Sequence, residues 1–300
     1  MSQLASTLTD LPISADSDHL DSTRYARGLA RFIQQTGTPI TIGIQGGWGS
    51  GKTSLINILG QLLGSPGAAG SRAVGVSINA WEHSLFRSND RAAVAYSLLD
   101  GIVDAILAAI KAQGLAADGS DQEAASVKGS LKRLALGSAA FAADVITAGR
   151  LSSASQFTGA ALNYLDGPKG AAVAEPPLET SIAREVARLR SRLDGVIDEA
   201  LKRSNGRYDR FAVFVDDLDR VHPETAVDIL DVMKNILSIP RCVFVLAIDF
   251  DVVVKGLSAK FGQRGADNER EFRQYFDKII QVPFSMPVGS YSRHFPAYLA

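Results

Sequence analysis

The octamer Gly46-Gly47-Trp48-Gly49-Ser50-Gly51-Lys52-Thr53 stands between an apolar run, Pro39 to Ile44, and a leucine-rich helical pattern. No other feature of the chain constrains its fold as much. The octamer matches G-x-x-x-x-G-K-[ST], and its flanks supply the strand before and the helix after that this motif requires. Glycines let the backbone bend so that successive N–H groups face one concavity. The start of the helix adds its positive end. Lys52 then supplies a point charge for β- and γ-phosphates, and Thr53 a hydroxyl for Mg²⁺. Trp48 reads either as a hydrophobic cap on the fold or as a nucleotide contact.

The rest of the chain alternates strands with helices. Arg24 to Gln35 reads as a helix with Tyr25, Leu29, Phe32 and Ile33 on one side. Ala73 to Ile78 reads as a second strand, and Phe211 to Val215 and Cys242 to Ile248 are apolar runs of the kind buried on both faces of a parallel sheet. Ile279 to Val282 reads as a last strand closed by Pro283. Helices are expected at Asp90 to Lys111, Glu179 to Arg203, from Pro223, at Asp251 to Phe261 and at Asn268 to Phe276. The predicted fold class is therefore α/β: three layers, α/β/α, with a mainly parallel five-stranded sheet and a helical insertion.

The insertion is Gly114 to Ala174, about half of it Ala, Gly and Ser. Its two largely uncharged stretches are too short and too polar to be expected to span a membrane. The expected organisation is a polar arm over 1–22, a core over 23–113 and 175–288, the insertion over 114–174, and over 289–300 the start of a further C-terminal region. The first residues contain aspartates but no Lys or Arg, unlike a targeting peptide. A single cysteine, Cys242, excludes an internal disulfide framework. The expected compartment is the cytoplasm. Formal charge is −1, so no overall field indicates a nucleic-acid or membrane partner. Arg184, Arg188, Arg190 and Arg192 read as the solvated face of a helix, with a weak phosphate-binding stripe as the alternative.

Asp216-Asp217-Leu218-Asp219-Arg220 follows the Phe211 to Val215 run. A carboxylate at the C-terminal end of a buried strand faces the ligand crevice of an open α/β sheet. Asp216 is expected to hold Mg²⁺, and Asp217 to polarise an attacking water. Asp219 and Arg220 read as a local ion pair. Asp249 ends another apolar run and is expected either to sense phosphate or to cap the next helix. The Asn-Lys-x-Asp guanine reader is absent from the sequence, so ATP is preferred.

Thr41 to Ser54, Asn79-Ala80-Trp81, Phe214 to Arg220, Val245 to Asp249 and Asp277 to Phe284 together resemble KAP-family P-loop NTPases. The resemblance implies an ATPase core with an extra strand between the phosphate-loop strand and the acidic strand. It implies nucleotide binding by Gly46 through Ser54, including Lys52, metal binding by Thr53 and Asp216, and catalysis by Lys52 and Asp217. Arg270 and Arg273 precede the last strand, near where an arginine reaches a neighbour's nucleotide in related oligomers; Arg273 is the candidate, with Arg220 as rival, and a solvated helix face pairing with Glu269, Glu271 and Asp277 is the alternative reading. A homo-oligomer or partner proteins of the same system are implied. Some bacterial members resemble components of anti-phage defence systems. The function expected is Mg-dependent ATP hydrolysis coupled to conformational change or assembly. The alternatives are a nucleotide-gated scaffold with little turnover and a small-molecule kinase.

Overall fold

A computed structural model describes residues 22–64, 71–84, 91–117, 122–131, 178–234 and 236–287. Five strands form one sheet: β1 (Ile40–Gln45), β2 (Ala73–Asn79), β3 (Arg210–Asp216), β4 (Cys242–Ile248) and β5 (Val282–Ser285). Their order is β2-β3-β4-β1-β5, and every pairing is parallel. β4 thus lies between the glycine-loop strand β1 and the acidic strand β3. That is the extra strand the family resemblance implies.

Side chains alternate across the sheet, and each face buries a separate core. Ala212 and Phe214 of β3 join Val243, Val245 and Ala247 of β4 against α1 (Ser22–Gln35) and α2 (Lys52–Gly64). Phe211, Val213 and Val215 join Phe244, Leu246 and Ile248 on the other face. There they meet α4 (Arg91–Ala112), α6 (Leu178–Arg203), α7 (Pro223–Met233), α8 (Phe250–Phe261) and α9 (Glu269–Asp277). Short α3 (Ala80–Ser84) follows β2 directly. Helices on both faces make the three layers. Each fully buried Phe in this core stabilises the fold by roughly 1.5–3 kcal/mol through removal of apolar area from water.

Several element edges differ from the sequence expectation. Residues 122–131, inside the Ala/Gly/Ser-rich stretch, form helix α5. Its Val127 and Leu131 enter the larger core. Arg192 of α6 donates to the Ser126 carbonyl at 2.7 Å and to Ser130 Oγ at 2.9 Å. That arginine is therefore a tie between helices rather than part of a solvated face. The uncharged stretches within 134–165 lie outside the described residues.

On α1 the buried stripe is Ala26, Leu29, Ala30 and Ile33, while Tyr25 and Phe32 are exposed. Small alanines let this helix lie close on α2, so the aromatics turn outward. Ile279 and Ile280 are buried in the turn before β5, and the strand itself starts at Val282 and contains Pro283. Proline is tolerated there because β5 is an edge strand. Among the described residues, no helix is long and apolar enough to cross a membrane.

Candidate functional site

The C-terminal ends of β1, β3 and β2 converge on one crevice. The glycine loop leaves β1, and α2 starts at Lys52. Gly49 and Gly51 have φ of 76° and 89°, left-handed values that L side chains rarely adopt. Gly46 is pinned differently. A Cβ there would lie 2.4 Å from Ser50 Oγ and 3.0 Å from Met286 Cγ. Its N–H donates to the Ile248 carbonyl of β4 at 3.3 Å, tying loop to sheet. Ser50 Oγ is buried without a hydrogen-bond partner. Trp48, at the loop tip, is 78% exposed, so it does not cap the fold.

Lys52 points back into its own loop. Its ammonium donates to the Gly46 carbonyl at 2.7 Å and the Gly47 carbonyl at 3.1 Å. A third contact, 2.8 Å, goes to Asp219 Oδ2, and the two side chains are only 7% and 8% exposed.

Asp216 ends β3, nearly buried, and Oδ1 accepts from the Asp217 N–H at 2.8 Å. The Thr53 hydroxyl donates to the same carboxylate. Burial, chiefly, pushes the Asp216 carboxyl above the usual carboxylate range, and the charges of Asp217 and Asp219 add to this. The hydrogen bonds from Asp217 and Thr53 oppose the rise.

Asp217 has φ of 58°, a left-handed conformation that aspartate tolerates better than most residues. The turn closes with the Arg220 N–H donating to the Asp217 carbonyl at 3.2 Å. It sends consecutive acids to different partners. Asp217 Oδ2 accepts from Asn79 Nδ2 at 2.8 Å, and Oδ1 pairs with Arg220 Nε at 2.7 Å. Asp219 turns to Lys52. The local Asp219–Arg220 pair expected from adjacency is therefore replaced by two longer-range pairs. The left-handed turn at Asp217 is the physical reason.

Asn79 is the residue whose role sequence reasoning missed. Its Oδ1 accepts from the Trp81 and Glu82 N–H groups at 2.9 and 3.3 Å, capping α3. That fixes the amide so that Nδ2 faces Asp217. The available signal was an Asn at the end of a buried strand, before a helix.

The other candidates, Asp249 and Arg273, have partners of their own. Asp249 caps α8, with Oδ1 accepting from the Asp251 N–H at 2.9 Å. It follows β4 directly, beside the loop strand. Arg273, on α9, is 74% exposed and pairs with Glu269 at 3.1 Å. Arg264 holds the same carboxylate at 2.6 Å. The two guanidinium groups, Arg264 first, pull the Glu269 carboxyl down to about 2.

The family model described as the KAP family P-loop domain matches residues 22–294. The chain belongs to the KAP family. No curated protein matches it. The KAP P-loop domain is a nucleotide-binding unit, and the crevice at Lys52, Thr53 and Asp216 is the part of this chain suited to that role. Its hard oxygen donors also suit a divalent cation. The Thr53 hydroxyl and the Asp216 carboxylate touch, and burial raises that carboxyl above the ordinary range. Two such ligands with shared phosphate oxygens fit Mg²⁺ better than a full protein cage does.

Proposed function

We propose that this KAP domain binds ATP with Mg²⁺ and hydrolyses the terminal phosphate. One observation carries the reading: the Thr53 hydroxyl after the loop lysine meets the Asp216 carboxylate at the end of β3. Two motifs far apart in sequence thereby share one crevice. The loop N–H groups of Gly46 to Ser54 bind the phosphates, and Lys52 bridges β and γ. Thr53 and Asp216 would hold Mg²⁺, which would supply neutralisation of phosphate charge there. Asp217 orients the attacking water and takes its proton; Asn79 and Arg220 hold the carboxylate in place for that task. Asp249, at the neighbouring strand end, fixes the water or senses the γ-phosphate. Trp48 contacts the nucleotide from the loop tip. Arg273 reaches a neighbouring copy's nucleotide in an oligomer. Turnover drives conformational change or assembly with partner proteins, and a defence role would act through that assembly.

A nucleotide-gated module with little turnover is the second reading. It draws on the Lys52 ammonium, which already has three acceptors. Phosphate release from Mg·ATP, measured beside Lys52→Ala, tests the proposal. Turnover lost in the variant is expected. Turnover equal in both proteins would remove catalysis from the loop.

A further inference from the structure

An ammonium has three N–H donors. Those of Lys52 are matched by three acceptors: the carbonyls of Gly46 and Gly47 and the carboxylate of Asp219. With its side chain 7% exposed, Lys52 has no donor left over for a phosphate. A phosphate must therefore replace one of the three.

The two carbonyls are poor candidates for displacement. Gly46 is pinned by its bond to Ile248 and by close packing against Ser50 and Met286. The Gly47 carbonyl also accepts from the Ser50 N–H at 3.2 Å, so moving it unmakes the loop. Asp219 is different. It sits on a turn, and only side-chain rotation is needed to release it. Once released it is still an acid, and its place is taken by an anion.

We infer that Asp219 is an internal anion that occupies the phosphate position of Lys52, so that the site admits only ligands able to displace a carboxylate from a buried ammonium. The inference rests on the nucleotide reading above. It deepens that reading by adding a built-in competitor to the loop lysine: a ligand that brings several charges and fills the loop N–H groups at once outcompetes Asp219, and a monophosphate with one headgroup does not. Asp219 thereby sets both the affinity and the lower limit of phosphate chain length.

The test is calorimetric titration of the full chain with ATP, ADP and inorganic phosphate, wild type beside Asp219→Asn. ATP and ADP should bind the variant about tenfold more tightly or better, the worth of one hydrogen bond to a charged group. Inorganic phosphate should bind the variant measurably and the wild type hardly at all. A general loss of negative field would also tighten anion binding, but that effect is screened by salt, whereas a buried pair is screened far less. The affinity ratio between variant and wild type should therefore persist at about 0.5 M salt, where the Debye length is only a few ångströms. Asp219→Ser, also neutral and small, repeats the measurement if the amide disturbs the turn. Equal ATP affinities in wild type and variants overturn the inference and leave the nucleotide reading intact. So does a gain that vanishes in salt. Absence of ATP binding in wild type and both variants refutes both.

Discussion

Two clusters of charge in this molecule have almost the same bond lengths and opposite significance. Lys52 meets Asp219 at 2.8 Å at the crevice, and Glu269 meets Arg264 and Arg273 at 2.6 and 3.1 Å on α9. The first pair is nearly buried; in the second, the Arg273 side chain is 74% exposed. Water screens the second, and exposed pairs of this kind contribute little. In the first, little solvent is left to replace a lost partner, so each contact has to be matched or displaced. Distance alone does not rank ion pairs; burial does.

This contrast can be broken or sharpened by substitution. The largest effect belongs to Lys52→Ala, which should lower phosphate release from Mg·ATP by roughly 10²-fold or more, on the scale of other transition-state charge donors. Asp217→Asn comes next. Turnover should fall by about 10²-fold, the range of general-base catalysis, while ATP affinity measured by titration stays near wild type. Parallel loss of binding would instead assign Asp217 to the nucleotide pocket.

Asp216→Asn separates stability from activity. A carboxyl whose pKa is raised by folding binds its proton more tightly in the folded chain than in the unfolded one. Stability is then greatest below the ordinary carboxylate pKa and declines as pH rises toward the raised value. The asparagine variant lacks that decline, so at neutral pH without nucleotide it should melt higher than wild type. Its Mg-dependent turnover should fall while its melting point rises. A lower melting point at neutral pH would contradict the burial argument.

The exposed cluster should respond least. Folding lowers the Glu269 carboxyl from 4.5 to about 2, so its contribution is present above the ordinary value and is lost as pH falls through about 2. Glu269→Gln should barely move the melting temperature at pH 7. For Arg273→Ala, stability should be unchanged and the loss of turnover should grow with protein concentration, as expected if the arginine serves a neighbour. A defect independent of concentration would remove it from that role.

Much of the fold was legible in the residues. The run Phe211 to Val215, apolar at every position, can satisfy its side chains only when both faces are covered, and the structure covers both. Cys242 to Ile248 behaves in the same way, with every residue buried. Pro223 marked the start of α7 correctly because its missing N–H is harmless in a first turn. The last strand was misplaced because Ile279 and Ile280 are as apolar as strand residues. What buries them is the turn against the sheet, and only register shows that pairing begins at Val282, three residues after Ile279.

The candidate site divides along the same line. Local chemistry determined the loop: its glycines, lysine and threonine act through backbone geometry spelled out within eight consecutive residues. It determined too that acids would end β3, where the C-terminal end of a buried strand faces the crevice of an α/β sheet. Asp217 meets Arg220 within one local turn, whereas the partner of Asp219, Lys52, was decided by tertiary structure. Asp217 takes a left-handed turn, and that single dihedral sends its own carboxylate to Asn79 and Arg220 and the carboxylate of Asp219 to Lys52. Sequence neighbours record the order of charges along the chain. The pairing of those charges depends on where β2, β3 and the loop after β1 end in space, because a Coulomb contact is set by distance and solvent access rather than by separation along the chain.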